Sequence, residues 1–240
     1  MLLDKPIIAL DVYEPETLFR FLDLFAGEEL NVKVGMELFY ANGPVMVREL
    51  KARGHHIFLD LKLHDIPNTV AQSLAALTRL GVDMLNVHAT GGSEMMRWGM
   101  EAIKEAEPDP QKRPLLIAVT QLTSTGEAQM QREQMTTASM SESVLNYAQL
   151  TQKAGLDGVV CSPHEVEMLK RELGSKFLTV TPGIRPADYQ AQAKEDQKRI
   201  TTPQKARQLG SDYIVVGRPI TQAEDPKAAY QAICADWQDA

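Results

Sequence analysis

Eight short apolar runs, separated by amphipathic stretches, cross the whole chain, and this alternation limits the possible folds more than any other feature. The runs fall at residues 6–12, 31–36, 56–63, 84–89, 115–122, 158–162, 177–183 and 213–218. Between them apolar residues recur at helical spacing over residues 14–25, 39–53, 67–80, 93–106, 141–154, 164–172, 204–209 and 226–237. Gly81, Gly155 and Gly210 each follow a helical stretch, where a left-handed C-cap favours glycine. Strands that are apolar on both faces belong to parallel sheets covered on both sides. Eight such units predict an α/β protein, a single (β/α)8 TIM barrel occupying residues 1–240, for which about 250 residues is usual. A doubly wound open sheet is the alternative. It usually carries a glycine-rich first turn, and Asp11-Val12-Tyr13-Glu14 has none.

The third run carries the densest chemistry. In Leu59-Asp60-Leu61-Lys62-Leu63-His64 the leucines occupy one face of a strand and Asp60, Lys62 and His64 the other. Asp65 follows, then Ile66-Pro67-Asn68-Thr69, with proline where a first helical turn accepts it. Asp65 is therefore expected to be the N-cap, and three charged groups are expected to converge at one strand end. Charges beside so apolar a strand are costly unless paired, and where they persist they usually have a function.

Composition narrows the chemistry by exclusion. The net charge of −7 and the lack of any Lys/Arg block argue against a nucleic-acid partner, so an anionic ligand must be held by a local cluster. Two cysteines without a Cys-x-x-Cys pair imply neither a disulfide framework nor a zinc knuckle. Met1-Leu2-Leu3-Asp4-Lys5 lacks a signal-peptide layout, and no apolar run approaches the roughly 18 residues of a membrane span. The expectation is a soluble cytoplasmic protein without a membrane partner.

Other polar residues recur at strand ends, where barrel enzymes place their sites. Asp11 ends the first run. Lys33, between Val32 and Val34, either snorkels to the rim or joins a paired network with Asp60 and Lys62. Asn86 and His88 share a face of the fourth strand, and either could be a satisfied core residue. Gly217-Arg218 closes the eighth strand in the usual phosphate position of this fold, where glycine admits a backbone N–H and arginine a bidentate fork. Arg185, after the seventh strand, could serve the same anion or pair with a carboxylate. Two polar connections, residues 124–140 and 185–202, are long enough to be binding loops or lids. A Gly-x-Gly-x-x-Gly turn and a Walker loop are absent, and Met168 stands where a zinc helix starting at His164-Glu165 would need its second histidine.

Asp60-Leu61-Lys62-Leu63-His64-Asp65-Ile66-Pro67-Asn68-Thr69 resembles the signature of the orotidine 5′-phosphate decarboxylase family, in its short bacterial form. The resemblance extends through Leu10-Asp11, Val32-Lys33-Val34-Gly35, Asn86-Val87-His88-Ala89, Leu122-Thr123-Ser124, Thr181-Pro182-Gly183-Ile184-Arg185 and Val215-Val216-Gly217-Arg218. It implies decarboxylation of orotidine 5′-monophosphate to UMP, the last step of de novo pyrimidine synthesis, with no cofactor and no metal. By the same resemblance Lys62 protonates C6 within a network of Lys33, Asp60 and Asp65, and the stretch Asp60 to Thr69 contacts substrate. Asp65 and Thr69 would come from the neighbouring subunit of a homodimer. Asp11 and Lys33 would hold the ribose, Thr123 the pyrimidine, and Gln197, Arg185, Gly217 and Arg218 the phosphate.

Three rival functions remain at this stage. Lys62 could be a Schiff-base lysine of an aldolase barrel, although neighbouring carboxylates keep a lysine pKa high, opposite to what that nucleophile needs. A metal-dependent sugar-phosphate decarboxylase shares the Asp-x-Lys-x-x-Asp pattern. A catalytically dead phosphate binder would have little use for an intact charge network.

Overall fold

The computed structural model describes residues 2–12, 14–187, 189 and 199–239. All eight apolar runs form strands: β1 Ile7–Ala9, β2 Asn31–Gly35, β3 His56–Leu63, β4 Met84–His88, β5 Leu115–Val119, β6 Gly158–Val160, β7 Leu178–Thr181 and β8 Tyr213–Val216. Each pairs in parallel with the next, and β8 pairs with β1, closing the barrel. The helices are α1 Pro15–Asp23, α2 Met36–Asn42, α3 Pro44–Ala52, α4 Pro67–Thr78, α5 Gly92–Ala106, α6 Glu127–Glu133, α7 Met140–Lys153, α8 Val166–Leu173, α9 Pro203–Gln208, α10 Arg218–Thr221 and α11 Pro226–Gln238.

Strand periodicity divides the core in two. Ile8, Val32, Leu59 and Leu85 face outward onto Leu18, Leu50 and Leu74 of the helix layer. Ile7, Ala9, Phe58, Met84, Ile117 and Val215 form the second cluster, filling the barrel interior. Burying each large side chain contributes roughly 1.5–3 kcal/mol, enough in sum to support a charged layer at one end of the barrel.

The N-terminal end of the barrel is sealed by a repeated device. Asp83, Asp157 and Asp212, each immediately before an even-numbered strand, accept hydrogen bonds from the backbone N–H of Ile57, Leu116 and Thr179 at 2.8, 2.7 and 2.7 Å. Asn31 does the same for Leu3 N–H at 2.9 Å. Lys51 pairs with Asp83 at 2.9 Å and Lys170 with Asp212 at 2.6 Å.

Three sequence expectations need correction. The helix expected over residues 39–53 is two helices, because Gly43 (φ 67°) takes a conformation outside the helical region and Pro44 then starts α3. The connection over residues 124–140 contains α6, a short helix whose only buried residue is Met130. The N-cap of α4 is Ile66, not Asp65, whose carboxylate instead accepts from Ile66 N–H at 2.7 Å.

Candidate active site

The barrel opens at its C-terminal end into a cavity of about 300 Å³. Phe58, Val119, Val160 and Val215 form an apolar floor. Above it stands a row of alternating charge. Lys33 Nζ lies 3.4 Å from Asp11 Oδ1 and 3.3 Å from Asp60 Oδ2, and Lys62 Nζ lies 2.7 Å from Asp60 Oδ1. Burial opposes the charge on Asp60, but Lys33, Lys62 and the hydrogen bonds from Lys62 and Asn86 outweigh it and hold the carboxyl below the usual carboxylate range. Burial would likewise discharge Lys33, yet Asp60 and Asp11 more than compensate and raise its pKa.

Strand β3 does not reach this geometry by regular extension. Leu59 pairs with Leu85, but the next pair joins Leu63 to Val87, so four steps along β3 match two along β4. Lys62 takes up the excess with φ 51°, in the left-handed region that side chains seldom enter. Asn86, nearly fully buried, bonds both sides of this bulge: its Oδ1 accepts from Lys62 N–H at 2.8 Å and its Nδ2 donates to Asp60 Oδ1 at 2.6 Å.

Around the ring, Thr123, Arg185, Gly217 and Arg218 also line the cavity. A Cβ on residue 217 would sit 3.2 Å from Asp11 Oδ2, so glycine keeps both the backbone approach and the Asp11 carboxylate in place. Gly217 is also the N-cap of α10, whose first turn begins at Arg218, a polarity that suits an anion.

The remaining candidates lie elsewhere. Leu61 is buried and, with Leu63, packs toward the helix layer, while Ile66, Asn68 and Thr69 are exposed and Pro67 half-buried, none of them lining the cavity. Asp65 is exposed and does not join the Asp60–Lys62 pair, so the expected three-charge convergence is not met within one chain. His64 stands outside the cavity with its ring 6.0 Å from that of His88. Burial, then His64 and Lys62, push the His88 pKa down, favouring the neutral imidazole. Gln197 lies outside the described residues.

Two supports escape sequence reasoning. Gln121 donates to Gln134 Oε1 and to Ser143 Oγ, both at 2.9 Å, and so anchors the loop bearing Thr123. Arg199 pairs with Glu165 and donates to the Leu122 carbonyl at 3.1 Å, tying the returning end of the 185–202 connection to the β5 and β6 loops. Short-range patterns cannot reveal such partners, which lie 13 to 77 residues apart. Among the described residues no trio of His, Cys, Asp or Glu is placed to hold a metal ion, and no helix is long and apolar enough to cross a membrane.

Fixed charges of both signs stand at the barrel mouth, above a floor that apolar side chains already close. They define the class: a barrel enzyme with its site on the C-terminal face. The sequence model described as the orotidine 5′-phosphate decarboxylase / HUMPS family matches residues 4–233, and the chain belongs to that family. It is 56% identical over 235 residues to the orotidine 5′-phosphate decarboxylase of Lactococcus lactis subsp. lactis (strain IL1403), covering 98% of each chain. The corresponding protein of Listeria innocua serovar 6a is also 56% identical over 235 residues, with 98% of this chain and 99% of the relative covered. A solved orotidine 5′-phosphate decarboxylase from Lactobacillus acidophilus superposes with TM-score 0.86 at 44% identity, covering 98% of this chain and 99% of the other. An uncharacterized conserved protein from Geobacillus kaustophilus gives TM-score 0.85 at 46% identity, covering 96% and 99%.

Proposed function

We propose that this chain, acting as one catalytic barrel over residues 1–240, decarboxylates orotidine 5′-monophosphate to UMP by means of fixed charges. The observation that carries the reading is the alternating row Asp11, Lys33, Asp60, Lys62 inside the cavity. Breaking the C6–carboxylate bond releases CO2 and leaves its electron pair on C6. An ammonium held beside C6 stabilises that charge most where it is most developed, in the transition state, which is the binding that raises kcat. The Lys62 ammonium then gives a proton to C6, forming UMP, and recovers one from solvent. Asp60 keeps Lys62 charged and oriented and stands beside the carboxylate that leaves.

In this reading Asp11 and Lys33 hold the ribose hydroxyls and Thr123 the pyrimidine edge. Arg185, Gly217, Arg218 and Gln197 hold the phosphate, whose binding energy helps assemble the site. The site is completed by a second copy that supplies Asp65 and Thr69. Two features support this. Asp65 is exposed and lies outside its own chain's cavity, and large apolar side chains are exposed on neighbouring units of the barrel: Met36 and Tyr40 on α2, Ile66 before α4 and Trp98 on α5.

Turnover of orotidine 5′-monophosphate, followed by its ultraviolet absorbance with and without EDTA, tests the reading. The expected result is rapid turnover that EDTA leaves unchanged. Activity abolished by EDTA would mean metal-assisted chemistry, and no turnover at all would remove the assignment.

A further inference from the structure

Burying a primary amide is costly unless both of its ends are bonded. Asn86, 1% exposed on β4, is bonded at both ends, and each bond goes to a member of the charged row. Its oxygen holds the N–H of Lys62, at the one described position of β3 where the backbone turns left-handed. Its nitrogen holds Asp60 Oδ1, the same oxygen that Lys62 Nζ contacts. Asn86, Asp60 and Lys62 thus form a closed triangle of side-chain amide, carboxylate, and lysine backbone and ammonium.

The triangle has a mechanical consequence. In a regular strand the Cα atoms of Asp60 and Lys62 would stand about 6–7 Å apart, with parallel side chains. Here two extra residues are folded into β3 against β4, and the bend at Lys62 brings its ammonium back to within 2.7 Å of Asp60. Left-handed backbone in a residue with a Cβ persists only where its surroundings hold it. Asn86 is the side chain that bonds the Lys62 backbone amide. It also adds no charge to a row of two carboxylates and two ammonium groups.

We propose that Asn86 is a positioning residue: it pins Lys62 in its left-handed conformation and fixes the Asp60 carboxylate, so that the ammonium is aimed before substrate arrives. This deepens the proposed function and rests on it. The phosphate-side residues Arg185, Gly217 and Arg218 follow β7 and β8, on other loops than this triangle, so losing it should slow chemistry more than it weakens binding.

Asn86→Ala and Asn86→Asp, compared with the wild-type protein, test the proposal. Asn86→Ala should lower kcat by about 10²-fold or more, the scale of losing a preorganised polar group, with a much smaller change in KM. Its crystal structure should show Lys62 outside the left-handed region. Asn86→Asp keeps the shape and can still accept from Lys62 N–H, but can donate to Asp60 only when protonated. The charged and titratable groups around that position are Lys33 from β2, Asp60, Lys62 and His64 from β3, and His88 from β4. Lysine charge and protonated histidine favour the ionised form of the introduced acid, whereas Asp60 opposes it. The kcat deficit of Asn86→Asp should therefore shrink as pH is lowered. A folded Asn86→Ala protein with near wild-type kcat, or a loss expressed wholly in KM, would overturn the proposal. So would an Asn86→Asp deficit that does not respond to pH. If Asn86→Ala does not fold, the isosteric Asn86→Asp variant decides. If the wild-type protein itself fails to decarboxylate orotidine 5′-monophosphate, the functional reading falls, and the position of Lys62 in the variant structures still judges the role of Asn86.

Discussion

The two ends of the barrel use the same residue types to opposite purposes. At the N-terminal end Asp83 and Asp212 pair with Lys51 and Lys170, and their oxygens also accept strand N–H groups. At the C-terminal end Asp60 pairs with Lys33 and Lys62, yet its hydrogen-bond partners are side chains, and the assembly faces a cavity. A buried ion pair is weak evidence for function in itself. The difference lies in what else the carboxylate holds. Where it caps a strand it closes the fold, and where it orients an ammonium toward open space it builds a site.

The largest effect that tests this contrast comes from mixing two inactive proteins. If the protein is a dimer in which Asp65 completes the partner's site, the Lys62→Ala and Asp65→Asn proteins should each be nearly inactive. After subunit exchange about half the dimers are hybrids, each with one pocket carrying both lesions and one carrying neither. Activity should rise to about a quarter of wild type on that statistical count. No recovery despite demonstrated exchange would place Asp65 in its own subunit's chemistry.

Arg218→Ala probes the proposed phosphate corner of the same end. It should reduce kcat/KM for the nucleotide by roughly 2–4 kcal/mol, as expected for a lost charge-assisted contact. Turnover of the phosphate-free nucleoside should hardly change. Equal losses on both substrates would make Arg218 a support of the fold, blurring the distinction between the two ends.

Much of this contrast was legible in the sequence, because it rests on strand periodicity. All eight runs became strands, and β3 begins and ends where its apolar run does, at His56 and Leu63. Asp11, Lys33, Asp60 and Lys62 line the cavity from the C-terminal strand ends, where barrel enzymes place their sites. What escaped depends on non-local bonds. Nothing in the letters around Lys62 announces a left-handed backbone, since the bulge is set by Asn86 on the next strand. The break at Gly43-Pro44 has a local dipeptide signal, which the helical spacing of apolar residues on both sides masks. Asp65 followed cap statistics and failed, because its carboxylate bonds Ile66 N–H, one residue short of the helix.

The smallest expected effects lie at the N-terminal end, on stability alone. Asp212→Ala leaves Thr179 N–H and Lys170 without their carboxylate and should cost about 2–4 kcal/mol in chemical denaturation, with kcat unchanged. Asp157 is different. Burial, outweighing its hydrogen bond from Leu116 and the more distant Lys104 and Arg113, raises its pKa. A raised carboxyl pKa favours the folded state below the unfolded value, and that contribution is lost as pH rises through the folded value. At neutral pH the ionised Asp157 therefore opposes folding. Asp157→Asn keeps the acceptor for Leu116 N–H and removes the charge, so its melting temperature should equal or exceed that of wild type. A clear drop would mean that the charge itself holds the strand.

Steady-state turnover of orotidine 5′-monophosphate by Lys62→Ala, with its melting temperature measured beside wild type, tests the central claim most directly. The charged row at the barrel mouth is held to perform the reaction, with Lys62 as its proton donor. The predicted result is a folded protein whose kcat falls by at least about 10³-fold, the scale on which a preorganised electrostatic group contributes. A folded variant that retains about a tenth of normal turnover would be losing little more than 1.4 kcal/mol of transition-state stabilisation, and Lys62 would have no place in the mechanism.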